Sequence, residues 1–148
     1  MYQVCNLIKS LAVYEKCEQE CIMTPEVLIK DGFDTSNPPF GIFVADLLGQ
    51  IVGYTFYYHA YRTNTGKFIH LNDLFVDSLY RDQGIGKKLV QRAAKLANET
   101  TNKRLELHCL KWNPALEFYK KIGFINLSET DGWNRLVLNG NALNKHVE

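Results

Sequence analysis

The sequence lacks most of the signals that announce a metal, a membrane or a nucleic acid. Its four cysteines, Cys5, Cys17, Cys21 and Cys109, form no CxxC pair, and its histidines show no paired spacing. Zinc is therefore not expected, and the metal-ligand set is read as none. No apolar run approaches the roughly 18 residues of a membrane span, and no secretory signal is present. The expectation is an intracellular, cytoplasmic protein with reduced thiols and no membrane partner. Cys17 and Cys21 could share a helix face and read as idle thiols rather than a redox pair. The net charge of +1 gives no general nucleic-acid surface, so no nucleic-acid partner is expected. Internal repeats, low-complexity tracts and long linkers are also missing.

What is present is an ordinary globular composition. The 148 residues are 46% hydrophobic and 22% charged, enough for one core, and are read as a single domain over 1–148. Residues 2–16 place Val4, Leu7, Ile8, Leu11 and Tyr14 on one helical stripe. Thr24-Pro25 opens a short helix that stops at Gly32. Strands follow at 42–46, 51–61 and 67–76, separated by turns at Leu48-Gly49-Gln50 and Thr63-Asn64-Thr65-Gly66. An amphipathic helix runs from Ile85 to about Asn98. Then come a strand at 104–110, a helix opened by Pro114 and closed by Gly123, and strands at 124–127 and 134–139. This order predicts an α/β (α+β) fold: a mixed, mostly antiparallel sheet flanked by helices.

The stretch "RDQGIGKK" (81–88) stands between an apolar strand, "LNDLFV", and that long helix. Glycines there let the backbone approach a ligand, and helix-terminal amides favour an anion. Arg81 and Lys87 add positive charge, so a phosphate or pyrophosphate fits. The nucleoside-triphosphate loop fails, because Arg81 replaces its first glycine and Lys88 its Ser/Thr. The dinucleotide fingerprint fails too, because Leu89 occupies its third glycine position. On the turn alone, a helix start with no ligand stays open.

A second block bears on the choice. "WNPALEFYKKIGF" (112–124) has an asparagine, then a helix carrying a tyrosine, then Gly-Phe. With R-x-x-G-x-G after a strand, it resembles the GNAT N-acetyltransferase superfamily, whose glycine turn holds the pyrophosphate of acetyl-CoA. "LAVYEK" (11–16), "DGF" (31–33), "YYHAY" (57–61) and "DGWNRLVL" (131–138) resemble its diamine branch, the spermidine/spermine and thialysine N-acetyltransferases. The resemblance spans essentially the whole chain.

It implies an enzyme that moves an acetyl group from acetyl-CoA, its co-substrate, to a small primary amine, with no metal. Arg81, Gln83, Gly84, Ile85, Gly86 and Lys87 would hold the pyrophosphate. Backbone groups of Leu74, Phe75 and Val76 would pair with the pantetheine arm, and Asn113 would bond to the cofactor or cap its helix. Tyr119 would be the acid for the leaving thiolate. Asp73 would anchor the amine or take its proton, beside Asn72, where the family carries a glutamate; an amide cannot be a base near neutrality. Tyr14, Glu15, Glu106, His108 and Asp131 fall at substrate-side positions. The family's acidic clamp would fall near Arg62-Thr63-Asn64, which offers no carboxylate. Shorter diamines or thialysine-like amino acids then fit better than long polyamines. The resemblance also implies a homodimer sharing C-terminal strands, here Trp133–Leu138, and a sheet lacking the family's first edge strand. Asn72 and that missing strand leave a catalytically weak or inactive CoA-binding homologue as the alternative.

Overall fold

The structure, a computed structural model, describes residues 1–132 together with Leu136, Leu138 and Leu143. It divides into two compact units, Met1–His108 and Cys109–Glu148. Among the described residues, no helix is long and apolar enough to cross a membrane.

The first unit holds α1 (Tyr2–Tyr14), α2 (Pro25–Gly32), β1 (Gly41–Leu47), β2 (Gln50–Arg62), β3 (Gly66–Val76), α3 (Ile85–Asn98) and β4 (Leu105–Leu107). The sheet order is β1-β2-β3-β4. β1 and β3 run antiparallel to β2, whereas β4 runs parallel to β3. That parallel step needs a crossover, and α3 supplies it. The expected mixed, mostly antiparallel sheet is what forms.

Alternation along β2 assigns the helices to opposite faces. Tyr54 and Phe56 pack with Val4, Leu7 and Leu11 of α1. Gly53, Thr55 and Tyr57 have the other parity, and the α3 side chain Leu89 lies over Gly53. A Cβ on Gly53 would come within 3.0 Å of the Phe75 carbonyl oxygen, so the missing side chain lets β2, β3 and α3 close together. Leu89, Val90, Ala93 and Ala97 form the buried stripe of α3.

Helix ends follow local chemistry. The Thr24 hydroxyl caps α2 by accepting from the Val27 amide at 3.3 Å. α1 stops at Tyr14, short of the expected residue 16. Lys16 is left-handed (φ 60°), and the amides of Lys16 and Cys17 bond back to Val13 and Ala12. This is a Schellman turn with lysine in the place glycine usually takes.

β3 departs from regular pairing at one point. Phe56 faces Asp73 and Tyr57 faces Leu71, which leaves Asn72 as an extra residue. This is a β-bulge, and it bends the strand. β4 pairs only with Ile69–Leu71, immediately before it. The strand expected over 104–110 is therefore reduced to Leu105–Leu107: beyond Leu71, β3 no longer keeps the parallel register.

In the second unit, α4 (Ala115–Lys121) ends at Gly123 (φ 103°), whose amide bonds to Lys120 while that of Phe124 bonds to Tyr119. The strand expected over 124–127 does not form. Asn126 instead accepts from the Ser128 amide at 3.1 Å and starts a 3-10 turn over Leu127–Glu129. A local side-chain bond of this kind competes with strand formation. The strand expected over 134–139 lies outside the described residues, Leu136 and Leu138 apart.

Ile69 is 0% exposed at the centre of β3. Ile69→Ala should cost about 2–5 kcal/mol of stability, read as a lower urea midpoint at unchanged m-value.

Candidate active site

The first unit contains a cleft of about 420 Å³ between α1, α2 and the α1-facing side of the sheet. Phe40 and Phe56 line part of its wall, and Glu15, Glu20, Asp31 and Asp73 bring four carboxylates to it. Neighbours on a regular strand point to opposite faces, yet Asn72 and Asp73 both line this cleft. The bulge accounts for that. It is held by the Thr55 hydroxyl, which donates to the Asp73 carbonyl at 2.8 Å. The turn after α1 brings in Glu15 at its C-cap, then Cys17 and Cys21 on either side of a 3-10 turn at Glu18–Glu20. These two thiols are thus cleft residues and do not share an α-helical face.

Asp73 is held at both oxygens. Tyr54 donates its hydroxyl to Oδ2 at 3.0 Å, and Asn72 donates its amide to Oδ1 at 2.9 Å. Burial pushes the Asp73 carboxyl above its ordinary range, and these two donors pull it part of the way back. Glu15 is raised as well, first by burial and then by the Asp73 charge. Burial, then the Asp73 charge, push the Tyr54 hydroxyl up, so it stays a donor. Tyr54 has no counterpart among the expected site residues. The available signal was a tyrosine at a core-facing position of β2, where a buried hydroxyl needs a partner.

The glycine turn is built to leave amides accessible. Asp82 (φ 60°) and Gly84 (φ 77°) are both left-handed, and Gly84 caps α3 with no side-chain hydrogen bond. The first turn of α3 carries no acidic residue. Successive amides in such a conformation form an anion-binding concavity at a helix N-terminus. Gln83 and Lys87 are exposed beside it, while Ile85 and Gly86 are half-buried. Arg81 donates Nε to the Val76 carbonyl at 2.9 Å, and its guanidinium carbon lies 5.6 Å from the Tyr14 ring centre and 5.5 Å from that of Phe75. Leu74, Phe75 and Val76 lie past the last β3–β4 pair. These features fit a diphosphate with an extended arm running along β3.

Other expected residues lie elsewhere. Glu106 does not line the cleft; it forms ion pairs with Arg62, at 2.7 Å, and with Arg104. His108 is exposed on the strand's end, its ring centre 4.8 Å from that of His70. His70 is 6% exposed, and burial followed by His108 push its imidazole below the usual range, so it is neutral at pH 7. In the second unit, Asn113 accepts from the Ala115 amide at 2.9 Å and so caps α4. Tyr119 is buried and meets Phe118 and Phe124 edge-on, with ring centres 5.2 and 5.5 Å away. Asp131 is exposed and accepts from the Thr130 hydroxyl at 3.0 Å.

The profile of the acetyltransferase (GNAT) family matches residues 6–124. The chain belongs to the GNAT acetyltransferase family. This acetyltransferase is 36% identical to thialysine N-epsilon-acetyltransferase of Sus scrofa, over 95% of this chain and 87% of that one. It is 31% identical to the protein of the same name from Caenorhabditis elegans, over 99% and 90% of the two chains. Among solved structures, an integron cassette protein from Vibrio cholerae superposes with a TM-score of 0.77 at 22% identity, covering 98% of this chain and 90% of that one. That likeness shows the fold. The GNAT acetyltransferase thus has a bulged central strand that faces an acidic cleft and leads toward the glycine turn.

The raised Asp73 carboxyl has a cost in stability. In the fold it holds its proton to higher pH than in the unfolded chain, so stability falls as pH rises between those two values and stays lower at neutrality. Asp73→Asn should therefore melt at a higher temperature than the wild type at pH 7, the gap closing below about pH 4, as followed by circular dichroism.

Proposed function

We propose that this chain acetylates a primary amine of a small diamine, polyamine or thialysine-like amino acid, using acetyl-CoA. The observation that carries the reading is the cleft that sets Glu15 and Asp73 together over an aromatic wall. Burial raises both carboxyls, and the Asp73 charge raises Glu15 further; an incoming cation relieves both. The name of the relatives, thialysine N-epsilon-acetyltransferase, supports an ammonium group as the acceptor.

Roles follow from chemistry. An alkylammonium with a pKa near 10 must lose a proton before it attacks. Asp73 anchors it and, with its raised affinity for protons, is the acceptor, directly or through water. Glu15 and Tyr14 complete the amine side, with Asn72 holding Asp73 in place. Acetyl-CoA, when bound, supplies the activated acetyl group. Arg81, Gln83, Gly84, Ile85, Gly86 and Lys87 bind its diphosphate, and Leu74 to Val76 offer backbone groups to its arm. Tyr119 is the acid for the departing thiolate, on a helix whose start Asn113 caps. Asp131 joins the substrate side, whereas Glu106, neutralised by two arginines, contributes less to it than its strand position suggested. The ion pair of Arg62 with Glu106 also favours short acceptors over spermine-like ones.

We assign the working protein as a single N-acetyltransferase domain over 1–148, cytoplasmic and homodimeric. Asn72, standing where the diamine branch carries a glutamate, supports a second reading: a CoA-binding homologue with weak or no turnover.

The test is CoA release from acetyl-CoA against putrescine, spermidine, spermine, thialysine, lysine and an arylalkylamine. Turnover on a short diamine or thialysine is expected; CoA binding with no turnover on any of them establishes the second reading. In the active enzyme, Tyr119→Phe should lower kcat by roughly 100-fold or more. An unchanged kcat removes Tyr119 from the acid role.

A further inference from the structure

The hydroxyl of Tyr54 is a polar atom placed in the middle of an apolar core. Tyr54 is 0% exposed and packs with Val4, Leu7, Leu11 and Phe75. A phenylalanine would fill the same space and would bring no hydroxyl to satisfy. The hydroxyl instead reaches Asp73 Oδ2 at 3.0 Å, while Asn72 reaches Oδ1 at 2.9 Å. Each carboxylate oxygen thus receives one neutral donor and keeps acceptor capacity for something in the cleft. Donors on opposite oxygens also fix the rotation of the carboxylate about its stem.

The surroundings offer no charged partner in its place. Glu15 at the end of α1, Glu20 in the following turn and Asp31 on α2 line the same cleft, with the thiols of Cys17 and Cys21. Every charged side chain that lines the cleft is acidic, so the lining offers Asp73 no cationic partner. A carboxylate at position 72 would add a further repulsion at hydrogen-bond distance. The asparagine there turns that contact into a bond.

We propose that Tyr54 is a positioning residue for the reaction: its buried hydroxyl, together with the Asn72 amide, keeps the Asp73 carboxylate ionised and aimed at the ammonium of the substrate. What enters the cleft rests on the amine-acetyltransferase reading above; the clamp on Asp73 is a separate matter. The role differs from that of a packing residue, because only the hydroxyl is needed for it.

The experiment follows the Asp73 side-chain carboxyl by 13C NMR titration in the full chain, its signal assigned by its loss in Asp73→Asn. Tyr54→Phe should move the Asp73 midpoint to higher pH, with near-ultraviolet circular dichroism unchanged. In turnover, the same variant should lower kcat/KM for the amine roughly 10- to 100-fold, shift the acid limb of its pH profile upward and leave KM for acetyl-CoA in place. The double variant Tyr54→Phe/Asp73→Asn should be no slower than Asp73→Asn alone. An unmoved midpoint, or losses that add in the double variant, overturns the proposal. Should Tyr54→Phe fail to fold, Asn72→Ala at its exposed position takes its place, and an unmoved midpoint there overturns the clamp. A midpoint that moves in a chain acetylating none of the amines overturns the substrate reading and supports the clamp; an unmoved midpoint in an active enzyme does the reverse.

Discussion

The hydrogen bond from the Thr55 hydroxyl to the Asp73 carbonyl, 2.8 Å long, sits at the bulge of β3. Thr55 is fully buried, so its hydroxyl must find a partner, and the bulged backbone provides one. Three consequences come from that local distortion. Asn72 and Asp73 turn to the same face and enter the cleft together. β3 bends just past Leu71, where its pairing with β4 ends. The next residues, Leu74 to Val76, then run beyond β4 toward the glycine turn. A regular strand of the same sequence would bury one of the two polar side chains on the α3 face.

Carboxylates on the α1-facing side of the sheet are treated in two ways. Glu106 is compensated within the protein by Arg62 and Arg104. Exposed or half-exposed pairs of this kind add little stability and are screened by salt. Asp73 receives neutral donors, and both Asp73 and Glu15 stay above their ordinary ranges. The first arrangement closes a charge; the second leaves a demand for a cation. Burying a charge without an opposite charge beside it is costly, and proteins tolerate that cost mainly where something binds.

Much of this was readable in the chain, and the failures have physical causes. The glycine turn, Thr24-Pro25 and Gly123 could be read because each is a local device whose residues fix their own backbone angles. The α3 stripe could be read because its period is regular. The bulge could not, since "LNDLFV" alternates no differently with an extra residue in it. β4 was overestimated because its length depends on where β3 bends, which is a property of another strand. "FINL" has the apolar content of a strand, but Asn126 makes its own turn. For the candidate site, the turn residues were singled out by motif and Asp73 and Glu15 by resemblance, whereas Tyr54 carries no motif and declares itself only through its partner. The ion pairs of Glu106 were not readable, because its two arginine partners come from 62 and 104.

The cleft is lined from Ile8 to Asp73, and the residues proposed to meet the acetyl donor in this unit begin at Leu74. Within this unit the cleft lining and the proposed donor residues are therefore consecutive in the chain, with one peptide bond as their border. Variation at the cleft lining upstream of that border can retune which amine is chosen while the residues from Leu74 onward stay the same. A recombination event falling there would exchange specificity as a unit, which gives a lineage a short route to new acceptors.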